Sequence, residues 1–186
     1  MGCDIHIWVE KRDTMLPLPE VQELRIVGQK YPTPWKKVEP RFPSEWADGG
    51  FTDGPFDWRQ YGMYTFLAGV RNYGQVIPIS RPRGLPEDVS EGAREILDMW
   101  DGDGHSYSWL LLGELLDFNY NTPVENLRHR KQTGPNSWTG AAVAEPGQGV
   151  MTTYREELGE GFFRDLAILA SIGPPDDVRI VFFFDN

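Results

Sequence analysis

Residues 3 to 10 alternate with period two. Cys3, Ile5, Ile7 and Val9 fall on one side, and Asp4, His6, Trp8 and Glu10 on the other. That is the pattern of a strand with one face in a core. The closing stretch, 177 to 185, is nearly continuous in apolar residues and predicts an interior strand. Before it, 151 to 172 predicts a helix, ended by Gly173 and the Pro174-Pro175 pair and weakened in its middle by Gly159-Glu-Gly161. Three further helices follow from spacing. One runs from Trp58 to Asn72, and a second starts at Pro86 and carries Val89, Ala93, Ile96, Leu97 and Trp100 as a stripe. A third runs from Trp109 to Phe118, with Ser108 as N-cap. Gln75 to Ser80 predicts a short strand, while residues 31–57 and 119–149, rich in Pro and Gly, read as ordered irregular loops. The fold class expected is α+β: one domain over 1–186, a small mixed sheet including the N- and C-terminal strands, about four helices and long loops.

Composition narrows the function classes. Of the 186 residues 40% are apolar and 13% aromatic, which excludes a disordered chain. A single cysteine makes no intramolecular disulfide and points to the cytoplasm. The opening residues lack the basic and apolar regions of a secretory signal, and apolar runs such as Val181–Phe184 are too short to span a bilayer. A net charge of −10 disfavours long nucleic acid and anionic membrane as partners. A homo-oligomer is compatible with all of this.

Two of the three histidines follow an aspartate by two positions, in Asp4-x-His6 and Asp103-x-His105. In a strand the members of such a pair share a face. Two Asp and two His suffice for a divalent metal or for general acid/base work, and Asp185 joins them if the last strand lies beside the first. The plainer alternatives are a satisfied hydrogen-bonded pair at Asp4/His6 and a simple turn over 101–108. Ser106 and Ser108 precede the third predicted helix, whose N-terminus would favour phosphate. Trp8 shares the face of Asp4 and His6 and offers a stacking surface. Cys3 reads as a buried thiol, and His129, among basic neighbours, as a surface residue.

Charge distribution refines the total. Residues 58–86 contain no acid but carry Arg59, Arg71, Arg81 and Arg83; residues 126–144 contain no acid but carry Arg128, Arg130 and Lys131. Arginine suits bidentate contact with phosphate or carboxylate. Each of these arginines taken alone reads as one half of a structural ion pair. Together they leave room for one small anion in an acidic chain. The chain has no P-loop, G-x-G-x-x-G, H-E-x-x-H or G-x-S-x-G.

The opening Met-Gly-Cys-Asp-Ile-His-Ile-Trp-Val-Glu resembles a family of small, largely uncharacterised tailed-phage and bacterial proteins that begin with a Cys-Asp-Ile-His strand. The resemblance continues through Arg59–Tyr61, Leu67–Asn72, Arg83–Asp88, Asp103–Trp109 and Arg179–Asn186, with Tyr107 where the family usually has a small aromatic or His between the serines. It implies a phage-type accessory protein of the host cytoplasm that blunts host defence or redirects metabolism. The corresponding expectation is a phosphodiesterase-like hydrolase of a phosphate-bearing nucleotide, such as a host immune second messenger, with a non-catalytic nucleotide sponge as the alternative. A third reading is an acidic surface that docks on a host enzyme or mimics nucleic acid. Under the leading expectation Asp4, His6, Asp103 and His105 form the catalytic centre, with Asp185 as a further ligand if a divalent metal is bound. Arg71, Arg83, Ser106 and Ser108 would hold phosphate, and Trp8 and Trp109 would stack a ring.

Overall fold

The computed structural model describes residues 2–13, 33–39, 41–44, 49–52, 54–100, 102–128, 132–135, 137–138 and 143–185; His129, Arg130 and Lys131 lie outside them. Its centre is an antiparallel sheet built from β1 (Ile5–Lys11), β2 (Lys36–Val38), β5 (His105–Leu111) and β10 (Val178–Phe184), in the order β2-β1-β10-β5. The expected pairing of the terminal strands is present. The sheet is antiparallel throughout rather than mixed. Among the described residues three small two-stranded ladders lie apart from it: β3 (Phe42–Pro43) with β4 (Phe51–Thr52), β6 (Pro123–Asn126) with β9 (Val150–Thr153), and β7 (Gln132–Gly134) with β8 (Ser137–Trp138).

Helices cover both faces. Ile5, Val9, Ile180, Phe182 and Phe184 pack into the main core with α1 (Tyr61–Ala68), α3 (Leu112–Asp117) and α4 (Tyr154–Ile172). On the other face Trp8, Val181 and Phe183 pack against Val89, Ala93 and Leu97, the last two on α2 (Glu91–Met99). All seven residues of β10 are therefore buried, which accounts for its continuous apolar run. The period-two pattern of β1 predicts one wet face, but α2 covers that face, so Trp8 and Glu10 are buried as well.

Glu10 is satisfied on both oxygens. One accepts the Ser90 N–H at 2.8 Å and the other the Arg179 Nε–H at 2.7 Å. Arg179 Nη1 and Nη2 continue to the carboxylate and carbonyl of Asp88, at 2.7 and 3.0 Å. This network ties the segment leading into α2 to the sheet.

Several expected boundaries move. The helix expected over 58–72 is only α1, because Gly69 turns left-handed at φ 72° and ends it. The stripe from Pro86 becomes helical only at Glu91. Residues 75–80 form no strand; the Asn72 side chain brackets Val76 N–H and carbonyl instead. The helix from Trp109 begins at Leu112, since Trp109, Leu110 and Leu111 are claimed by pairing with Val181, Ile180 and Arg179. The last helix starts at Tyr154 behind a Thr153/Glu156 capping box, and breaks at Gly159, at φ 69° and ψ 174°. Its weak middle is thus a real kink. No helix among the described residues is long and apolar enough to cross a membrane.

Candidate functional site

Antiparallel pairing of β1 with β10 brings the start of one strand to the end of the other. The Asp185 N–H donates to the Asp4 carbonyl at 3.2 Å, and the Asp4 N–H donates to Asp185 Oδ1 at 3.0 Å. The second oxygen, Oδ2, accepts from His6 Nε2 at 3.1 Å. A carboxylate only accepts, so this contact places a proton on Nε2. A neutral His6 ring then carries its lone pair on Nδ1. The ring packs on Trp100, with centroids 4.0 Å apart, and on Phe183, at 4.8 Å. Trp100 caps the end of α2, the helix whose leading segment the Glu10–Arg179–Asp88 network holds to the sheet.

Asp4 and His6 are not paired with each other. The Asp4 carboxylate takes the Arg59 fork, at 2.9 Å from Nε and 2.6 Å from Nη2. Arg59 arrives on the loop 54–60, which runs close against β1: a Cβ on Gly54 would overlap the carbonyl oxygen of Ile7. The cluster opens into a cleft of ≈ 1040 Å³. Asp4, Asp57, Asp185 and Arg59 supply its charge, His6 its imidazole, and Trp58 and Trp100 its flat apolar walls. The kink residue Gly159 lines it too. Buried Tyr64 stands at its edge, its phenol pushed upward in pKa chiefly by burial.

Burial opposes ionisation of Asp185, but the hydrogen bonds from His6 and Asp4 and the charges of His6 and Arg59 outweigh it. The net result is a carboxyl held below its ordinary value. A group depressed in this way stabilises the fold above its unfolded value of about 3.9, and the contribution is lost as pH falls through the folded value. The gap in urea midpoint between the wild type and Asp185→Asn is therefore expected to shrink between about pH 5 and pH 2. A gap that widens on acidification would contradict this pairing.

The second D-x-H pair does not join the first. Between Phe182 and Phe184 the β5–β10 register slips by one residue, so Ser106 and Tyr107 together face Phe183. Ser106 takes φ 54° at this bulge. An unbulged strand would put His105 on the face of His6. The extra residue turns it over, onto the α1/α4 side, where it pairs with Phe184 and stacks on its ring at 6.2 Å. His105 Nδ1 lies 3.0 Å from Ser106 Oγ. Asp103 is exposed in the preceding turn. The structure thus does not gather Asp4, His6, Asp103 and His105 on one face: the bulge sets His105 across the sheet from His6. Among the described residues no group of three His, Cys, Asp or Glu stands so as to hold a metal ion.

The expected phosphate-holding set also separates. Ser106 and Ser108 lie within β5 rather than before a helix, and Ser108 is buried with its hydroxyl accepting the Arg83 N–H at 3.2 Å. Arg83 forks onto Glu114 and lies over Trp109, 5.0 Å from the ring centroid. Trp8 is buried beneath α2. Cys3 is buried as expected, and burial is the main reason its thiol pKa rises. Arg71 of that set lines a cavity of its own. There it meets Arg59, from the same acid-free stretch, and Arg128, from the other. The lining residues Arg59, Asp57, Trp58, Trp100 and Arg128 were not assigned to the site from the sequence alone. Of these only the arginines left a trace in the sequence, as part of the charge pattern. No protein-family model, curated protein or solved structure matches this chain.

Proposed function

We propose that the protein binds a phosphate-bearing nucleotide and hydrolyses it in the cleft beside His6. The observation that supports this most is the Asp185–His6 dyad, with a hydrogen-bonded proton on one ring nitrogen, beside a guanidinium and two tryptophan walls. His6 Nδ1 takes a proton from water as the water oxygen bonds to phosphorus. The P–O ester bond breaks, and the leaving oxygen receives a proton back from His6. Asp185 holds the ring and stabilises its charged form. Arg59, held by its fork onto Asp4, presents its remaining nitrogen Nη1 toward the phosphoryl group, and Trp58 or Trp100 supports the base by stacking. In the phage setting that the resemblance implies, the nucleotide is a host immune second messenger and the reaction removes it.

The test is incubation with cyclic di- and trinucleotides and with ADP-ribose, with and without a chelator, followed by denaturation and ion-exchange chromatography. New phosphomonoester products are the expected result. Intact nucleotide released only on denaturation would overturn hydrolysis in favour of sequestration. Neither products nor retained nucleotide would overturn the nucleotide reading itself. Products that vanish with chelator would assign the chemistry to a bound divalent cation.

A further inference from the structure

We propose that a second cavity, next to the reaction cleft, is an anion subsite that takes a diphosphate group. Its volume is ≈ 620 Å³, and among the described residues its walls carry Arg71, Arg128 and Arg59, which also forks onto Asp4, with Glu157 as the one carboxylate. The volume lies within the range of small-molecule sites. Arg59 and Arg71 come from one acid-free stretch and Arg128 from the other, so the fold draws both stretches of an otherwise acidic sequence to this one hollow. Glu157 is itself engaged, accepting from Asn126 Nδ2 at 3.0 Å.

Local construction points the same way. Arg71 sits at φ 53°, a left-handed conformation that costs a residue with a Cβ. The Asn72 brackets on Val76, directly after it, hold this turn in place. The turned backbone delivers the guanidinium to the Gly2 carbonyl at 2.9 Å and the Tyr73 hydroxyl at 3.2 Å. Arg128 lies over the same Tyr73 ring, 5.3 Å from its centroid. Opposite, Gly74 lets the Asn126 side chain approach so closely that a Cβ there would overlap Asn126 Oδ1. Two guanidinium groups fixed around one tyrosine form a preorganised, multidentate anion cradle.

Arg59, Gln60 and Leu158 line both cavities. A single ligand can therefore place a diphosphate among the arginines and its scissile linkage beside His6. That favours a nucleotide with two or more phosphates over a monophosphate. The identity of the ligand as a nucleotide rests on the function proposed above; the anion subsite itself does not.

Inorganic pyrophosphate is the probe, with binding measured by titration calorimetry at low and moderate salt. One saturable site that weakens with salt is expected. Arg71→Gln and Arg128→Gln should each weaken it about tenfold or more, since each removes a charge-assisted contact. Arg83→Gln makes the same change in net charge outside the cavity and should leave binding intact. Arg71→Lys should recover part of the loss. If Arg71→Gln unfolds, judged by circular dichroism, Arg128→Gln carries the test. No pyrophosphate binding, or equal losses in the Arg83 and Arg128 variants, overturns the subsite. Pyrophosphate binding without nucleotide turnover would instead overturn the hydrolysis and leave the subsite standing.

Discussion

Arg179→Met is expected to lower the stability of the fold by about 3–5 kcal/mol, because it strands a buried carboxylate. Glu10 is fully buried, and Arg179 nearly so. Among the described residues the Arg179 side chain has one buried anionic partner, Glu10; Asp88, its other, is largely exposed. Burial disfavours the Asp88 charge, but hydrogen bonding and charge from Arg179 still hold that carboxyl below its ordinary value. The guanidinium also lies over Trp35 at 4.1 Å and Trp109 at 5.9 Å, and methionine can keep part of that packing but none of the charge. A loss of this size in a chain of this length should lower the Tm by roughly 10 °C or more. Glu10→Gln/Arg179→Met should recover more than half of it, since glutamine still accepts the Ser90 N–H and leaves no charge behind. A single-variant loss below about 1 kcal/mol would show that the pair does not hold the sheet to the segment before α2.

The same network explains what the sequence made legible and what it hid. Alternation in residues 3–10 located β1 and sorted its faces correctly, because the pleat imposes period two whatever packs on it. It did not show that Glu10 and Trp8 are buried, because that depends on α2 being laid across them by Arg179 from the other end of the chain. Asp185 was legible as a partner of His6 on the condition that the terminal strands pair, and they do.

The pairing of His6 with His105 fails for a different reason. It turns on one residue of register, and a bulge at Ser106 leaves no mark in period or composition. Likewise Trp109–Leu111 fits a helix as well as a strand when read alone, and tertiary pairing with β10 decides it. The charge pattern fared better. Acid-free stretches are visible in sequence, and their meeting at Arg59, Arg71 and Arg128 was the part that needed a fold.

His6→Gln is expected to reduce nucleotide turnover by about 10²–10⁴-fold, the usual worth of a positioned general base. KM should change little, because the arginines, not His6, are placed to hold phosphate. Asp185→Asn should fall nearly as far. Asp185 accepts from Asp4 N–H on one oxygen and from His6 on the other, whereas asparagine has one acceptor oxygen for the two donors. If its amide N–H₂ turns toward His6, the ring must present a lone pair at Nε2 and carry its proton on Nδ1, where it cannot act as base. His105→Gln is the matched control. It removes the same side chain from the opposite face of the sheet, so turnover should stay within a fewfold of wild type. Steady-state kinetics on any nucleotide found to be hydrolysed decides among these. Equal losses in the His6 and His105 variants would restore a shared centre despite the bulge. Turnover within tenfold of wild type in His6→Gln would remove the dyad from the reaction.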